Sequence, residues 1–329
     1  MRYLIAGLGS IGRRHLHNLI ALGHQDIYLY RSGHSSAKPG EEFAEFPVEF
    51  DLEKALAHKP QAVIISNPTA LHLDVAIPAA EAGCDLFLEK PISHSIDRIS
   101  DLETALTRGG GKFLMGFQFR FHPGLKRIKK ILEENRIGKV LFVCCHWGEF
   151  LPGWHPNEDY RKGYSARNDL GGGVVLTLCH PIDYLRWFLG EISNVFAITG
   201  KMSDLEINVD DYAEILLKTK GGALISLHLD YIQQPPQHFL EITGTDGIIK
   251  WDNSDGSVHL YKNSIHKWQQ YPIERGFERN SMFLEEMRHF VEVVEGRSQS
   301  LCNLQDGLAV QKIIAAIDES SKTGNIIPI

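Results

Sequence analysis

"RYLIAGLGSIGRRHLHNLIALG", residues 2–23, is the stretch that decides the fold. Gly7, Gly9 and Gly12 stand in the spacing G-x-G-x-x-G. The apolar run RYLIAG predicts a strand. Residues 12–22 predict a helix with Leu16, Leu19, Ile20 and Leu22 as its apolar stripe. Glycine spacing alone is a weak signal. Between a strand and a helix, at the start of a βαβ unit, it is the fingerprint of a dinucleotide-binding loop. Gly7 permits the tight turn, Gly9 lets the backbone approach a pyrophosphate, and Gly12 allows close packing of helix on strand. The first-turn N–H groups of Ser10, Ile11 and Gly12, together with the helix dipole, then face the phosphate charge.

Working outward, short apolar runs alternate with helical patterns to about residue 120. DIYLYR (26–31) reads as a strand and SGHSSAKPGEE (32–42) as a loop. Asp51 stands where it can N-cap LEKALAHK. AVIIS (62–66), DLFLEK (85–90) and KFLMG (112–116) read as strands, separated by helices through ALHLDVAIPAAEAG and over 95–108. This alternation implies a doubly wound parallel sheet, an N-terminal Rossmann domain over 1–120. The pattern then changes. A helix (123–135) precedes the strand GKVLFVCCHWGEF. GALISLHLDY (222–231) puts Ala223, Ile225, Leu227 and Leu229 on one face and Ser226, His228 and Asp230 on the other. Such alternation belongs to an antiparallel sheet with one covered face. GTDG (244–247) reads as a tight turn. Two closing helices carry core stripes: Phe283, Met287, Phe290 and Val294, then Leu308, Ile313, Ile314 and Ile317. Residues 121–329 are therefore read as a second, α+β domain.

Composition narrows the class. The 329 residues are 43% hydrophobic and 23% charged, as expected of a globular protein of about two domains. A formal charge of −7 lacks the basic footprint of a nucleic-acid binder, and KRIKK (126–130) reads as one solvated helix face. Cys84, Cys144, Cys145, Cys179 and Cys302 contain no C-x-x-C pair and are read as reduced thiols. No signal-peptide pattern opens the chain and no apolar run approaches 18 residues, so a cytoplasmic protein is expected. His146 and His155 lack metal-motif spacing, and no metal is expected.

The end of the second strand bears on the cofactor. NAD-binding versions of the loop place Asp or Glu there, against the ribose 2′-hydroxyl. Here Arg31 and Ser32 stand in that position. A guanidinium forks onto a 2′-phosphate and a hydroxyl donates to it, which favours NADP(H). The alternative for Arg31 is a surface arginine stacked on the adenine of NAD(H). Arg13 and Arg14 add positive potential or are simply solvated.

Five further stretches carry a resemblance: SNPTALH (66–72), LEKPIS (88–93), GFQFRFHP (116–123), LGGGVVLTLCHPIDYLRWFLGE (170–191) and DGLAVQKIIAAIDESSKTG (306–324). Together they make the chain resemble the glucose–fructose oxidoreductase / inositol dehydrogenase / MocA family over essentially its whole length. The resemblance implies a C-terminal domain built on a large, mostly antiparallel open sheet. It implies hydride transfer between a nicotinamide and a sugar, cyclitol or derivative, and a homodimer or homotetramer. It makes Lys90 and His180 the catalytic candidates. Asn67, Pro68, Thr69, His72, Glu89, Lys90, Pro91 and Gln118 become cofactor-groove candidates. Lys90, Arg120, Trp154, Tyr160, Arg161, Thr177, His180 and Asp183 become substrate-binding candidates. The Lys90–Pro91 peptide is often cis in the family. Alcohol oxidation needs a proton acceptor and a cation against the developing alkoxide, roles that suit His180 and Lys90.

There is one departure. Many relatives carry an aspartate three or four residues before the histidine, where this chain has Leu176 and Thr177. The cluster FLPGWHPNEDYRKGYSARNDLGGG (150–173) reads as a substrate loop or a polar subunit contact, and resembles members found with bacterial amino-sugar and nonulosonic-acid pathways. The expectation is an NADP(H)-preferring oxidoreductase acting on a sugar or sugar derivative. Its alternatives are a catalytically silent NAD(P)-binding sensor and an epimerase or eliminase that retains its cofactor.

Overall fold

A computed structural model describes residues 1–32, 43 and 45–329. The loop read over 32–42 therefore lies, from Gly33 on, outside the described residues. The chain forms two compact units, Met1–Gln118 with Arg279–Leu308, and Phe119–Glu278 with Ala309–Ile329.

The first unit is built on six strands: β1 (Tyr3–Ala6), β2 (Ile27–Tyr30), β3 (Val48–Glu49), β4 (Ala62–Ile65), β5 (Asp85–Glu89) and β6 (Phe113–Gly116). They are parallel, in the order β3-β2-β1-β4-β5-β6. The winding direction reverses between β1 and β4, the switch point at which open α/β sheets take ligands. Every residue of β1 and β4 is buried, which is why those strands read as unbroken apolar runs. Four helices follow strands: α1 (Ser10–Ala21), α2 (Leu52–Ala57), α3 (His72–Glu81) and α4 (Ile99–Gly109). Asp51 caps α2, its carboxylate accepting from Lys54 N at 3.0 Å. The buried face of α1 is Gly12, His15, Leu16, Asn18 and Leu19. Ile20, placed in the stripe from sequence, is 38% exposed. Helix α4 begins later than expected because Arg98, its N-cap, takes a left-handed backbone (φ 60).

The second unit opens with α5 (Pro123–Glu133) and carries a nine-stranded sheet. Its elements are β7 (Val140–Gly148), α6 (Val174–Thr177), α7 (His180–Leu189), β8 (Ile192–Gly200), β9 (Tyr212–Thr219), β10 (Leu224–Asp230), β11 (Gln237–Gly244), β12 (Gly247–Asp252), β13 (Val258–Lys262) and β14 (Lys267–Tyr271), with β15 (Ile327–Pro328) from the chain end. The order is β14-β13-β12-β11-β7-β10-β9-β8-β15. All pairings are antiparallel except β7 with β10. Ile225, Leu227 and Leu229 of β10 are buried, and the residues between them point to the other face. The 244–247 turn joins β11 to β12 as read.

Two helices remain, α8 (Arg279–Val294) and α9 (Leu304–Thr323). A division at 120/121 assigns both to the second domain. The chain instead returns at Arg279, and the stretch to Leu308 belongs to the first unit. The α8 stripe meets first-unit rings there: Phe290 lies 5.5 Å from Phe87 and Phe283 lies 6.4 Å from His15, while Asn280 Nδ2 donates to Asn18 Oδ1 at 3.0 Å. Periodicity marks α8 as an apolar stripe but does not say which core it enters. Among the described residues no helix is long and apolar enough to cross a membrane.

Candidate active site

The cofactor candidates lie at the C-terminal ends of the first unit's strands. Gly7, after β1, has φ +92, and a Cβ there would sit 2.5 Å from Asn67 N. A Cβ on Gly12 would sit 2.0 Å from Gly7 O. Both positions therefore demand glycine, for the turn and for the close approach of α1. A Cβ on Gly9 meets nothing within 4 Å, so open space faces the turn. Gly9 is the N-cap of α1 and no side chain caps the helix. The first turn, with exposed Ser10, half-exposed Ile11 and buried Gly12, contains no acidic residue. An uncapped N-terminus beside open space fits a pyrophosphate. Arg31, half-exposed, and Ser32, exposed, follow β2, and Arg31 N donates to Glu49 O of β3 at 3.0 Å. Arg14 is engaged by an aromatic ring: its guanidinium lies 4.4 Å over Phe283.

The loop after β4 is held by side chains. Asn67 Nδ2 donates to Leu71 O at 2.9 Å, while Asn67 Oδ1 is buried and has no hydrogen-bond partner among the described residues. Pro68 is half-exposed and Thr69 buried. His72, expected to line the groove, is a clamp: Nδ1 lies 2.8 Å from Pro91 O and Nε2 3.0 Å from Asn67 O. Burial lowers its pKa, while the backbone hydrogen bonds and the charge of Glu89 act the other way. The ring ties the Asn67 loop to the Lys90–Pro91 turn, whose peptide bond is cis.

Lys90 is partly exposed at the end of β5. The preceding Glu89, a cofactor candidate from sequence, is 7% exposed and turned inward. Its Oε1 pairs with His15 Nε2 at 2.8 Å, and Lys90 N donates to its Oε2 at 3.3 Å. Glu89 therefore couples α1 to the Lys90 backbone rather than offering a carboxylate to a ligand. His15 went unnoticed in the sequence, although its register with Leu16 and Leu19 marks it as buried. Gln118 is 6% exposed at the end of this unit.

The second unit carries the remaining candidates. His180 is the first residue of α7 and 3% exposed. It lies among rings from other elements, 5.1 Å from Phe119 and 5.8 Å from Trp147. Trp147 in turn stacks on His238 (4.2 Å, 2°), and Tyr184 OH links His238 Nε2 to Cys145 Sγ, each at 3.0 Å. Burial, followed by the charges of His122 and His146, holds the His238 pKa well below the usual range. Burial pushes the Cys145 thiol up to about 12. This neutral, rigid bed sets the His180 ring and was not foreseen from sequence. Thr177 is 5% exposed at the end of α6.

Four of the substrate candidates are engaged by other residues of the chain. Arg120 and Asp183 are 3% and 1% exposed and face one another, Nε–Oδ2 at 2.9 Å and Nη2–Oδ1 at 2.6 Å. A bidentate pair buried this way joins the segment before α5 to the first turn of α7; each charge is answered by the other, not held out for substrate. Arg161 is 51% exposed and bonded to Asp159 and Glu206, and Tyr160 OH accepts from Glu206 N at 3.2 Å. These two residues brace the 150–173 loop against 206. Trp154, half-buried, packs edge-on to Tyr231 at 5.5 Å with its indole Nε1 buried and, among the described residues, without a hydrogen-bond partner.

Comparison with known proteins agrees with these features. Residues 1–117 match a family model described as "Oxidoreductase family, NAD-binding Rossmann fold", and residues 125–250 match "GFO/IDH/MocA C-terminal domain". The oxidoreductase YrbE of Bacillus subtilis is 28% identical, over 97% of this chain and 94% of its own length. The 2,7-anhydro-N-acetylneuraminate hydratase of Escherichia coli is 30% identical over 62% of this chain and 55% of its own. Among solved structures, levoglucosan dehydrogenase in complex with NADH superposes with a TM-score of 0.86 at 20% identity, over 100% of this chain and 99% of that one.

Proposed function

This chain belongs to the glucose–fructose oxidoreductase / inositol dehydrogenase / MocA family of NAD(P)-dependent oxidoreductases, and we propose that it prefers NADP(H) and acts on a hydroxyl-bearing carbon of a sugar or sugar derivative. The nicotinamide, when bound, takes up or releases the hydride. The amide groups of the α1 first turn hold the pyrophosphate, and Asn67 Oδ1 accepts from the cofactor. The Arg31 guanidinium and Ser32 hydroxyl take a 2′-phosphate, where an acidic residue would repel it. The Lys90 ammonium donates to the substrate oxygen and stabilises negative charge as the carbinol proton leaves. His180 accepts that proton, its ring oriented by Phe119 and Trp147. Trp154 offers a ring face to the sugar. Glu89, His15 and His72 position the Lys90 backbone, and the Arg120–Asp183 pair positions the start of α7.

The observation that carries this reading is the C-terminal edge of the first sheet. The uncapped α1, the Asn67 loop and Lys90 follow the adjacent strands β1, β4 and β5 on both sides of the switch point. The test is net change of NADPH or NADP+ with a panel of sugars, cyclitols and anhydro-sugars. We expect turnover that falls about 10²–10⁴-fold in Lys90→Ala, the range for a group acting in proton transfer. Tight NADPH binding without turnover of any substrate would instead make the protein a sensor. A second reading, substrate conversion without net cofactor change, draws on the 30% identity to a hydratase, and product analysis in the same assay separates it. We further propose a homo-oligomer through the uncovered face of the second sheet, where Phe142, Leu216, Leu224 and Ile198 are 43–58% exposed.

A further inference from the structure

The same face of the second sheet carries a polar cluster that the proposed chemistry does not use. His146 of β7 lies directly across from His228 of β10 in the parallel register, and Glu214 of β9 lies across from His228 on its other side. Asp230 follows two residues after His228 and so points to the same face. The two imidazoles lie 4.4 Å apart, and Phe239 of β11 covers the outer side of His146 at 5.3 Å. One donor atom each from His146, His228 and Asp230 lies within 4.8 Å of the others.

Three details make this more than a surface group of polar residues. Asp230 is 2% exposed, and its Oδ1 accepts from Ile232 N at 2.8 Å and Gln233 N at 2.7 Å, which orients Oδ2 toward His228 Nε2 at 2.8 Å. The other nitrogen of His228, Nδ1, bonds Glu214 Oε1 at 2.8 Å. A carboxylate on the far nitrogen is what orients a metal-ligating imidazole and raises its basicity. The third detail is Gly148, two residues after His146. A Cβ there would sit 2.3 Å from both Asp230 Oδ2 and Gln233 Oε1, and Gln233 Oε1 itself lies 2.5 Å from His146 Nε2. Glycine keeps open the place where four donor atoms meet.

We propose that His146 Nε2, His228 Nε2, Asp230 Oδ2 and Gln233 Oε1 bind a divalent first-row transition ion, with zinc as the natural occupant and Glu214 as the outer partner of His228. Two imidazoles, a carboxylate and an amide oxygen suit such an ion, whereas magnesium and calcium prefer oxygen throughout. Donors tetrahedral about zinc at about 2.0–2.1 Å stand roughly 3.3 Å from one another, so the His228–Asp230 and His146–Gln233 pairs open while the two imidazoles draw together, the stacked rings turning about their Cβ–Cγ bonds. The ion displaces the proton between His228 Nε2 and Asp230 to solvent, and the proton that His146 Nε2 holds toward Gln233 Oε1 moves to Nδ1 or to solvent, because a ligating nitrogen must be unprotonated. It would brace the chain after β10, which holds the segment from 149 to 165: Asp230 O accepts from Glu149 N, Tyr231 O accepts from Leu151 N, and Tyr231 OH donates to Ser165 O.

The test uses the full, tag-free chain stripped with a chelator, titrated with Zn2+ by calorimetry and with Co2+ followed by its visible ligand-field absorption. We expect one ion per chain, a higher Tm with excess Zn2+, and loss of the site in His228→Gln and in His146→Gln. Glu214→Gln should bind about 10–100-fold more weakly. His17→Gln, on the exposed side of α1, should bind like the parent. Each variant is first melted without metal. Should His228→Gln fail to fold, the half-buried His146 carries the test. Absence of stoichiometric binding, or binding that survives His146→Gln unchanged, would overturn the proposal and leave the cluster a hydrogen-bond network alone.

Discussion

Asp183→Asn separates two roles for the Arg120–Asp183 pair. If the carboxylate binds substrate, its loss raises KM and leaves stability nearly unchanged. If it serves the fold, the opposite holds. Both side chains are at most 3% exposed and share two short hydrogen bonds, with the guanidinium 5.7 Å from the Trp187 ring. Removing one partner leaves an uncompensated charge out of water, which costs about 3–5 kcal/mol. Removing both charges with side chains of similar volume, Arg120→Met with Asp183→Leu, leaves nothing to desolvate and should cost far less than the sum of the single changes. The assay is urea unfolding of Asp183→Asn and of the four proteins of the cycle, read by the midpoint of the transition that moves tryptophan fluorescence, alongside KM for the substrate found in the panel. Single changes below about 1 kcal/mol, or additive ones, would refute the structural assignment. A KM rise of tenfold or more at unchanged stability would return the pair to the substrate.

Further outcomes follow from other residues. Arg31→Asp should weaken NADPH by about 2–3 kcal/mol, a lost charge-assisted contact plus repulsion, and hardly change NADH; equal affinities of the parent for both would refute the preference. His122 caps α5, its Nδ1 accepting from Gly124 N at 3.0 Å, and burial lowers its pKa from 6.5 to about 4. Below pH 6.5 the unfolded chain takes up a proton that the folded ring refuses, so stability falls as pH drops from 6.5 through about 4. The loss is about 3 kcal/mol. Denaturation curves of His122→Asn should lack that component, and parallel pH profiles would contradict it. Lys90→Ala and His180→Ala should not add in kcat if both act on one proton; a fully active His180→Ala would move the proton to another group. Leu216→Lys with Leu224→Glu should lower the mass seen by light scattering, and a monomeric parent at micromolar concentration would rule out the interface.

The loop from Gly7 to Gly12, the parallel alternation to residue 116, the alternating faces of β10 and the Asp51 cap were all legible in the amino-acid order. Each is local: a spacing of glycines, a period of two or of 3.6, a cap one residue before its helix. Lys90 and His180 stood out through the motifs around them. What distant residues do to one another was not legible. Glu89 looked like a ligand until the fold brought His15 to it from 74 positions away, and Arg120 and Asp183 looked like two binding groups until 63 positions closed to a hydrogen bond. The stripe of α8 announced burial but not its partner, and only the tertiary structure returned it to Phe87. His146 and His228 drew no notice as a pair because their neighbourhood arises from the parallel pairing of β7 with β10, 82 residues apart by number. Periodicity encodes which face leaves water; which side chains then meet is decided by strand order and chain return. A carboxylate or an imidazole takes its role from that company.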